Sequence, residues 1–503
     1  MKAIRLLHAA NTISRHRQRL LQELSFVLVV ENLAYEKLVE VHWAGEDGVW
    51  HTLRAEHQGA GARNREIWRA RATFSPSDDA SLPGDVQFAL HYRVLGADHW
   101  DNNDSHNYVL NADAGVLLAP SIGLANVDVT PILDAGQRYL PITVAVRHTL
   151  QPRRVDVHWT TDNWRTTLVT PCFYQRTLWD KWRRSTARNP NRYGTSLWLG
   201  QLKIDDAFRV HYAIGCETAE RTIWDNNFGH DYVARRRPLK ILTLNLHCYQ
   251  EDDQDAKFSR IARAIDDLDI DLVCLQEVGE LCANGNGDPN SNAARIICNR
   301  LSRPYHLHAD WSHIGFERYR EGVAILSRHE FRVTDAGYVS SSHDVHSIDA
   351  RKVAMVQLDV PYMGLVNVFC AHLSWPDGGF FEQFDRLRAW ADDKHGSHLA
   401  ATFLCGDFNV KAGSEGYRAV VQTREYEDQY VAATSRPVFD KVFRKQSPNT
   451  DSHLARDGRI DFIFMRKPCS LRAVAARELF TNGDRYGRVS DHPGYLVEFE
   501  PAW

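Results

Sequence analysis

Ala400-Ala401-Thr402-Phe403-Leu404-Cys405-Gly406-Asp407-Phe408-Asn409 is the stretch on which the reading of the fold turns. An apolar run closed by glycine predicts a buried strand, and side chains two apart on an extended backbone point the same way. Asp407 and Asn409 then share a face at the carboxyl end of the strand, while Phe408 turns into the core. An isolated Asp-x-Asn is equally a polar turn closing a strand. The company it keeps decides between the two.

From Leu239 onward strands alternate with helices. Lys240-Ile241-Leu242-Thr243-Leu244-Asn245 is a strand ending in a carboxamide, and Phe258, Ile261, Ala262, Ile265 and Leu268 follow at helical spacing. Asp271-Leu272-Val273-Cys274-Leu275-Gln276-Glu277 is a second buried strand ending in a carboxylate. Residues 322–327, 353–360, 365–371 and 460–465 supply further strands, and Phe384, Leu387 and Trp390 mark a helix over 382–394. This pattern predicts an α/β four-layer sandwich, two packed sheets flanked by helices.

The strands end in Asn245, Glu277, His372, Asp407 with Asn409, Asp461, and Asp491-His492. Burying such a group without a partner costs a few kcal/mol, so polar termini on several apolar strands point to one shared destination. Oxygen donors with few obligatory carboxylates suit a hard cation, Mg²⁺ or Mn²⁺. No Cys or His cluster has the local spacing of a zinc site.

In this order, over residues 239–499, these residues resemble the endonuclease/exonuclease/phosphatase superfamily, which includes deoxyribonuclease-like enzymes, inositol polyphosphate 5-phosphatases and sphingomyelinases. The resemblance implies metal-assisted hydrolysis of a phosphoester. It implies Glu277 as the metal carboxylate with Asn245 and Asp491 in support, and Asp407 and Asn409 as the pair that orients the nucleophile and holds the phosphoryl oxygen. His492 paired with Asp461 is implied as general base or electrostatic stabiliser. His372 is implied as general acid, Glu321 as the carboxylate orienting it, and Arg351 as a phosphate-binding arginine.

The amino-terminal half repeats itself. Val41-His42-Trp43 recurs as Val157-His158-Trp159, and Trp100-Asp101-Asn102-Asn103 recurs as Trp224-Asp225-Asn226-Asn227. A duplication of this size predicts two similar domains. Alternating runs such as 86–92 and 208–212 make each an antiparallel β-sandwich. A flat indole beside carboxamides suits a sugar, and the same letters suit a hairpin turn. Together with residues 31–41 and 157–164, these segments resemble starch- and glycogen-binding modules of the kind found in glucoamylases and glycogen-targeting phosphatase subunits. The resemblance implies α-glucan binding through Trp100, Asn102, Asn103, Asn107 and Tyr108, and through Trp224, Asn226, Asn227 and Tyr232. Asp231 stands where the first copy has Asn107.

The expected division is an amino-terminal segment 1–21, sandwiches over 22–112 and 139–236 joined by a connector 113–138, and a catalytic domain 238–503. The stretch from Trp179 through Arg183-Arg184 to Tyr193, basic with interleaved aromatics, suits a polyanion or a solvated loop. Residues 282–292 and Ser374-Trp375-Pro376-Asp377-Gly378-Gly379-Phe380-Phe381, each just after a site residue, are the candidate specificity loops.

With 503 residues, 44% of them hydrophobic, and no apolar run near the roughly 18 a membrane span needs, the composition is that of a soluble multidomain protein. Residues 1–20 lack the continuous apolar core of a secretory signal. Nine cysteines without a Cys-x-x-Cys pair read as core residues of a reducing, cytoplasmic compartment. A net charge of −4 exerts no overall pull on nucleic acid. The leading expectation is a phosphoesterase held on an α-glucan. The alternative is a nuclease acting on DNA or RNA whose modules bind another polymer. A sphingomyelinase-like enzyme or a non-catalytic scaffold ranks below both.

Overall fold

The computed structural model describes residues 2–16, 19–61, 64–76, 81–175, 189–283, 286–434 and 458–502. The chain divides into two compact units, Met1–Arg237 and Pro238–Trp503. No helix among the described residues is long and apolar enough to cross a membrane. All nine cysteines are free thiols.

The first unit is built from antiparallel sheets in facing pairs. In the first pair one sheet contains Ile4–His16, Arg19–Glu31 and Arg65–Phe74, and the other Trp50–Arg54, Lys37–Ala44, Val86–Val94 and Ala97–Asp101. Phe26, Leu28, Val41, Phe88 and Tyr92 fill the space between them. The second pair repeats the plan. Tyr139–Arg147 and Thr195–Lys203 face a sheet of Leu168–Pro171, Arg154–Thr160, Arg209–Glu217 and Thr222–Asp225, with Ile142, Val157, Tyr212 and Ile214 between. The repeat is exact in register at its centre: Trp43 lies opposite Phe88 and Trp159 opposite Tyr212.

Two stretches differ from expectation. Residues 1–21 are no separate segment, because Ile4–His16 pairs along its whole length with Arg19–Glu31 and buries Ile4 and Leu6. The connector 113–138 contains two short strands, Val116–Leu118 and Leu124–Asn126, which add to the sheets of the first and second sandwich respectively. Val116, Leu118, Ala125, Ala145 and Leu197 form one buried cluster there, and the Arg147 guanidinium donates to the carbonyls of Leu118, Ala119 and Ile122. Three-residue strands carry no readable periodicity.

The second unit is the expected four-layer sandwich. One sheet runs His306–Gly315, Tyr319–Ser327, Leu272–Ala283, Leu239–Asn245, Gly494–Pro501, Leu471–Leu479; the other runs Phe331–Tyr338, Lys352–Val360, Gly364–His372, Leu399–Asp407, Asp461–Arg466, Tyr426–Asp428. Ile241, Cys274, Val356, Phe403, Ile463 and Val497 pack between the sheets. The helix Gln254–Leu268 covers the outer face of the first through Phe258, Ile261 and Ile265, and Phe380–Asp393 covers the second through Phe384 and Leu387.

Two parallel pairings set the site. Leu239–Asn245 runs parallel to Leu272–Ala283, and Gly364–His372 parallel to Leu399–Asp407, so His372 finishes beside Asp407, while Asn245 finishes beside Gln276 at a bulge past which the partner strand, expected to end at Glu277, continues to Ala283. Gly406 makes the second pairing possible. At φ +140° a Cβ there would sit 1.9 Å from the Ala371 carbonyl oxygen. Gly406→Ala is therefore expected to lower the stability of this unit by about 3 kcal/mol, read as a fall in its melting temperature; an unchanged melting temperature would refute the packing argument.

A second prediction concerns His8, which is 4% exposed on the first sheet. Burial, reinforced by Arg69, drops its imidazole to about 3 against an ordinary 6.5. Between those values the unfolded chain binds a proton that the folded chain does not, so stability is full above pH 6.5 and declines as pH falls toward 3, by about 1.4 kcal/mol per unit. Guanidinium unfolding of the intact chain at pH 7.5 and 5 should show this slope reduced in His8→Leu; identical slopes would contradict it.

Candidate active site

Asp407 ends its strand opposite His372 on one side and Asp461 on the other. Both aspartates are 1% exposed. His492 Nδ1 lies 2.7 Å from Asp461 Oδ2, while its Nε2 faces Asp407 Oδ2 at 3.9 Å. Burial works against charge on this ring, but the Asp461 hydrogen bond, with Asp407 and Asp491 nearby, overrides it and lifts the imidazole to about 9. Burial and then the neighbouring Asp461 push Asp407 above the usual carboxylate range. Its Oδ1 accepts from the Asn409 backbone N–H at 2.8 Å, and the Asn409 side chain donates to Leu373 O at 2.9 Å. Asn409 holds φ +52°, a left-handed conformation that asparagine tolerates better than most residues.

Glu277 sits where the pairing of its strand with Tyr319–Ser327 shifts register, at φ +50°. A glutamate in the left-handed region is strained, and such strain concentrates at working sites. Asn245 Nδ2 donates to Glu277 Oε1 at 2.8 Å and to Asp407 Oδ2 at 3.1 Å, joining carboxylates from the two sheets. His372 Nε2 completes this corner at 3.9 Å from Glu277 and 3.8 Å from Asp407. The three donor atoms lie within 4.8 Å of one another, as do those of Asp407, Asp461 and His492. Asp461 Oδ1 is buried without a hydrogen-bond partner. Buried carboxylate oxygens at this density fit a hard divalent cation, which would offset the charge they concentrate.

One expected pairing differs. Arg351, not Glu321, stands against His372, its Nη1 being 3.2 Å from the ring Nδ1. Glu321 faces His313 instead, at 3.6 Å, because the two lie opposite each other across a bulged register. Burial and the charge of Glu277 push Glu321 up to about 7. Burial, then Arg351, drives His372 well below the ordinary histidine range, so the ring is neutral near pH 7 and Nδ1 accepts from the guanidinium. This does not suit the expected general acid, which must hold an extra proton. Asp491 Oδ1 lies 3.6 Å from His247 Nδ1 and 4.0 Å from His492 Nε2, and His247 also meets Glu251 at 2.9 Å, so that His247, Glu251 and Asp491 form a further group able to hold a metal ion. Sequence reading missed His247 and His313. The first lies two residues past Asn245 and was detectable; the second depends on the bulge.

Of the loop after His372, Phe380 is fully buried, whereas Trp375 and Phe381 are 53% and 40% exposed. Residues 284 and 285, and residues 176–188 of the basic aromatic stretch, lie outside the described residues.

In the sandwiches the two Trp-Asp-Asn-Asn loops share a geometry. Trp100 and Trp224 are about half exposed. Asn102 Oδ1 accepts from Ser105 N, and Asn103 Nδ2 donates to Asn107 O; Asn226 and Asn227 do the same to Gly229 and Asp231. Tyr108 and Tyr232 are not turned outward for a sugar. Their phenols donate to Asp101 and Asp225, and their rings stack on Phe88 and Tyr212. Asp231 accepts from Trp164 Nε1 at 2.9 Å. The second loop borders a cleft of about 310 Å³ shared with His8, Val27 and Ile67 of the first sandwich.

Comparison with known proteins agrees with both halves. The endonuclease/exonuclease/phosphatase family matches residues 242–492, and the carbohydrate/starch-binding module family 21 matches residues 11–111 and 121–235. The mouse protein phosphatase 1 regulatory subunit 3E is 37% identical over 81 residues, 16% of this chain and 28% of that protein, so the chain spans little more than a quarter of this relative. Among solved structures, an endonuclease/exonuclease/phosphatase family protein from Leptotrichia buccalis is 26% identical with a TM-score of 0.43, over 52% of this chain and 99% of its own. A Bacteroides thetaiotaomicron mannosyl-6-phosphatase is 17% identical with a TM-score of 0.36, over 52% and 99%. The carboxyl-terminal half of this chain is a domain of the endonuclease/exonuclease/phosphatase family, and two carbohydrate/starch-binding modules of family 21 precede it.

Proposed function

We propose that this chain is a metal-dependent phosphoesterase held on an α-glucan by its amino-terminal modules, acting on a phosphoester borne by or near the polymer. The observation that carries the reading is the convergence of Glu277, at the bulge within its strand, with His372, Asp407, Asp461 and His492, which lie at or beside strand ends. A divalent cation together with a phosphate-like ligand would account for so many ionisable groups in one buried corner.

Glu277 and Asn245 are the residues that would hold Mg²⁺ or Mn²⁺, with Asp407 in reach. When bound, the ion neutralises phosphoryl oxygens. Asp407, raised by burial, has the basicity to take a proton from water near neutral pH. His492, kept protonated by Asp461, stabilises the charge that grows on phosphorus-bound oxygen. Neutral His372, its Nδ1 held by Arg351, directs an Nε2–H toward the same space and positions an oxygen rather than supplying a full acid. The exposed Trp375 stands beyond Ser374 as a flat surface for the rest of the substrate.

Glu277→Ala and His492→Ala should each reduce Mg²⁺-dependent phosphoester hydrolysis by about 10²-fold or more with the fold intact by circular dichroism, and EDTA should do the same reversibly. If both variants turn over at the wild-type rate, the chemistry lies elsewhere. In cosedimentation with amylose or glycogen, Trp100→Ala should weaken retention about tenfold, and Tyr108→Phe should leave it unchanged. Equal retention of wild type and Trp100→Ala would remove this indole from the tether.

A further inference from the structure

We propose that the first sandwich contains a binding site for a divalent transition metal ion of the zinc class, formed by Glu40, His42 and His91 beneath the exposed indole of Trp100. No local spacing in the sequence announces it. Sheet register assembles it: Glu40 and His42 project from one face of Lys37–Ala44, and His91 lies directly opposite Glu40 on Val86–Val94.

Two imidazole nitrogens converge on one carboxylate oxygen. Glu40 Oε2 is 3.1 Å from His91 Nδ1 and 3.6 Å from His42 Nε2, and the three donor atoms lie within 4.8 Å of one another. Tetrahedral zinc with bonds of about 2.0–2.1 Å places its ligand atoms about 3.3 Å apart, so this set needs only small adjustments. His91 Nε2 lies 2.7 Å from Asp98 Oδ1. A carboxylate only accepts, so Nε2 carries a proton toward Asp98, and Nδ1 is the ring atom left to face Glu40. This is the carboxylate–histidine support that fixes metal-binding imidazoles.

Nδ1 and Glu40 Oε2, 3.1 Å apart, need a cation between them, either a proton or a metal ion. A second proton on His91 would serve that contact alone. It would leave His42 Nε2 as it stands, buried and without a hydrogen-bond partner beside the same oxygen. A metal ion satisfies all three atoms. Imidazole with one carboxylate is a donor set for zinc and its neighbours, not for Mg²⁺ or Ca²⁺. Three protein ligands leave a fourth place open.

The duplication supplies an internal control. In the second sandwich Asp156 and His158 occupy the positions of Glu40 and His42, but the position opposite Asp156 is Gly215. Trp224 lies opposite Gly215 as Trp100 lies opposite His91. Its ring fills the vacated space: a Cβ on Gly215 would meet it at 3.3 Å. In the first sandwich the indole instead stacks on His91, ring centroids 4.4 Å apart. The same scaffold therefore exists with and without the second histidine, and only the version with it collects three ligands.

The test is titration of the chelator-stripped full chain with Co²⁺ and Zn²⁺, following the visible absorption of tetrahedral Co²⁺ and the number of equivalents bound by calorimetry. His91→Gly, which installs the glycine that the second sandwich already accommodates, and His42→Ala should each abolish the tetrahedral band. Each should bind one equivalent fewer than wild type, the affinity of that site falling by about 100-fold or more. His158→Ala should match wild type in both readouts. Should His91→Gly unfold by circular dichroism, His42→Ala and Glu40→Gln bear the test. Equal stoichiometry in wild type and these variants, or no tetrahedral band in wild type, would overturn the proposal.

Discussion

Two aspartates, Asp407 and Asp461, face each other across an antiparallel register with almost no access to water. Desolvating such a pair costs several kcal/mol per charge unless other groups compensate. Compensation comes from three directions: His492 on Asp461, the Asn245 amide on Asp407, and the Asn409 backbone N–H on the other oxygen of Asp407. Each partner arrives on a different segment, so the two sheets must pack in one relative position for the acid pair to be tolerated. The hydrophobic core between them, with Ile241, Cys274, Phe403 and Ile463 fully or nearly fully buried, supplies the driving force for that packing. The polar end decides which packing is acceptable.

This division of labour shaped what could be read in advance. The apolar runs at 240–245, 271–277, 365–371 and 400–407 announced buried strands, and their polar last residues announced a common meeting point. Both are local properties of a chain segment. The pairing of Glu321 with His313, and of Arg351 with His372, depends on a register shift between Trp311 and His313 and on which neighbour a strand selects. Those choices involve residues on another strand, eight positions away for Glu321 and His313 and 21 for Arg351 and His372. Asp491 keeps company that the Ser-Asp-His triplet alone does not announce: His247 at 3.6 Å, which in turn meets Glu251, and His492 Nε2 at 4.0 Å.

In the sandwiches the repeat was legible because both copies keep their order, and the alternation of 86–92 correctly made a strand with Phe88 inward. Tyr108 follows from that fact, since it pairs with Phe88 and must share its buried face. Reading the tyrosine with its neighbouring polar loop, and not with its strand, sent it to the wrong side. The Glu40, His42 and His91 cluster was illegible for the opposite reason. Its members are ordinary singly and meet only because one strand crosses another at a particular residue.

The short strands Val116–Leu118 and Leu124–Asn126 turn what looked like a tether into a shared wall, with Arg147 bolting its carbonyls to the second sandwich. The two copies now share a common interior, in which Val116 and Leu118 pack with Ala125, Ala145 and Leu197. A truncation between the two would expose Leu118 and Ala125 to water together. The link between the sandwiches is thus part of the core and not a spacer whose length could vary freely.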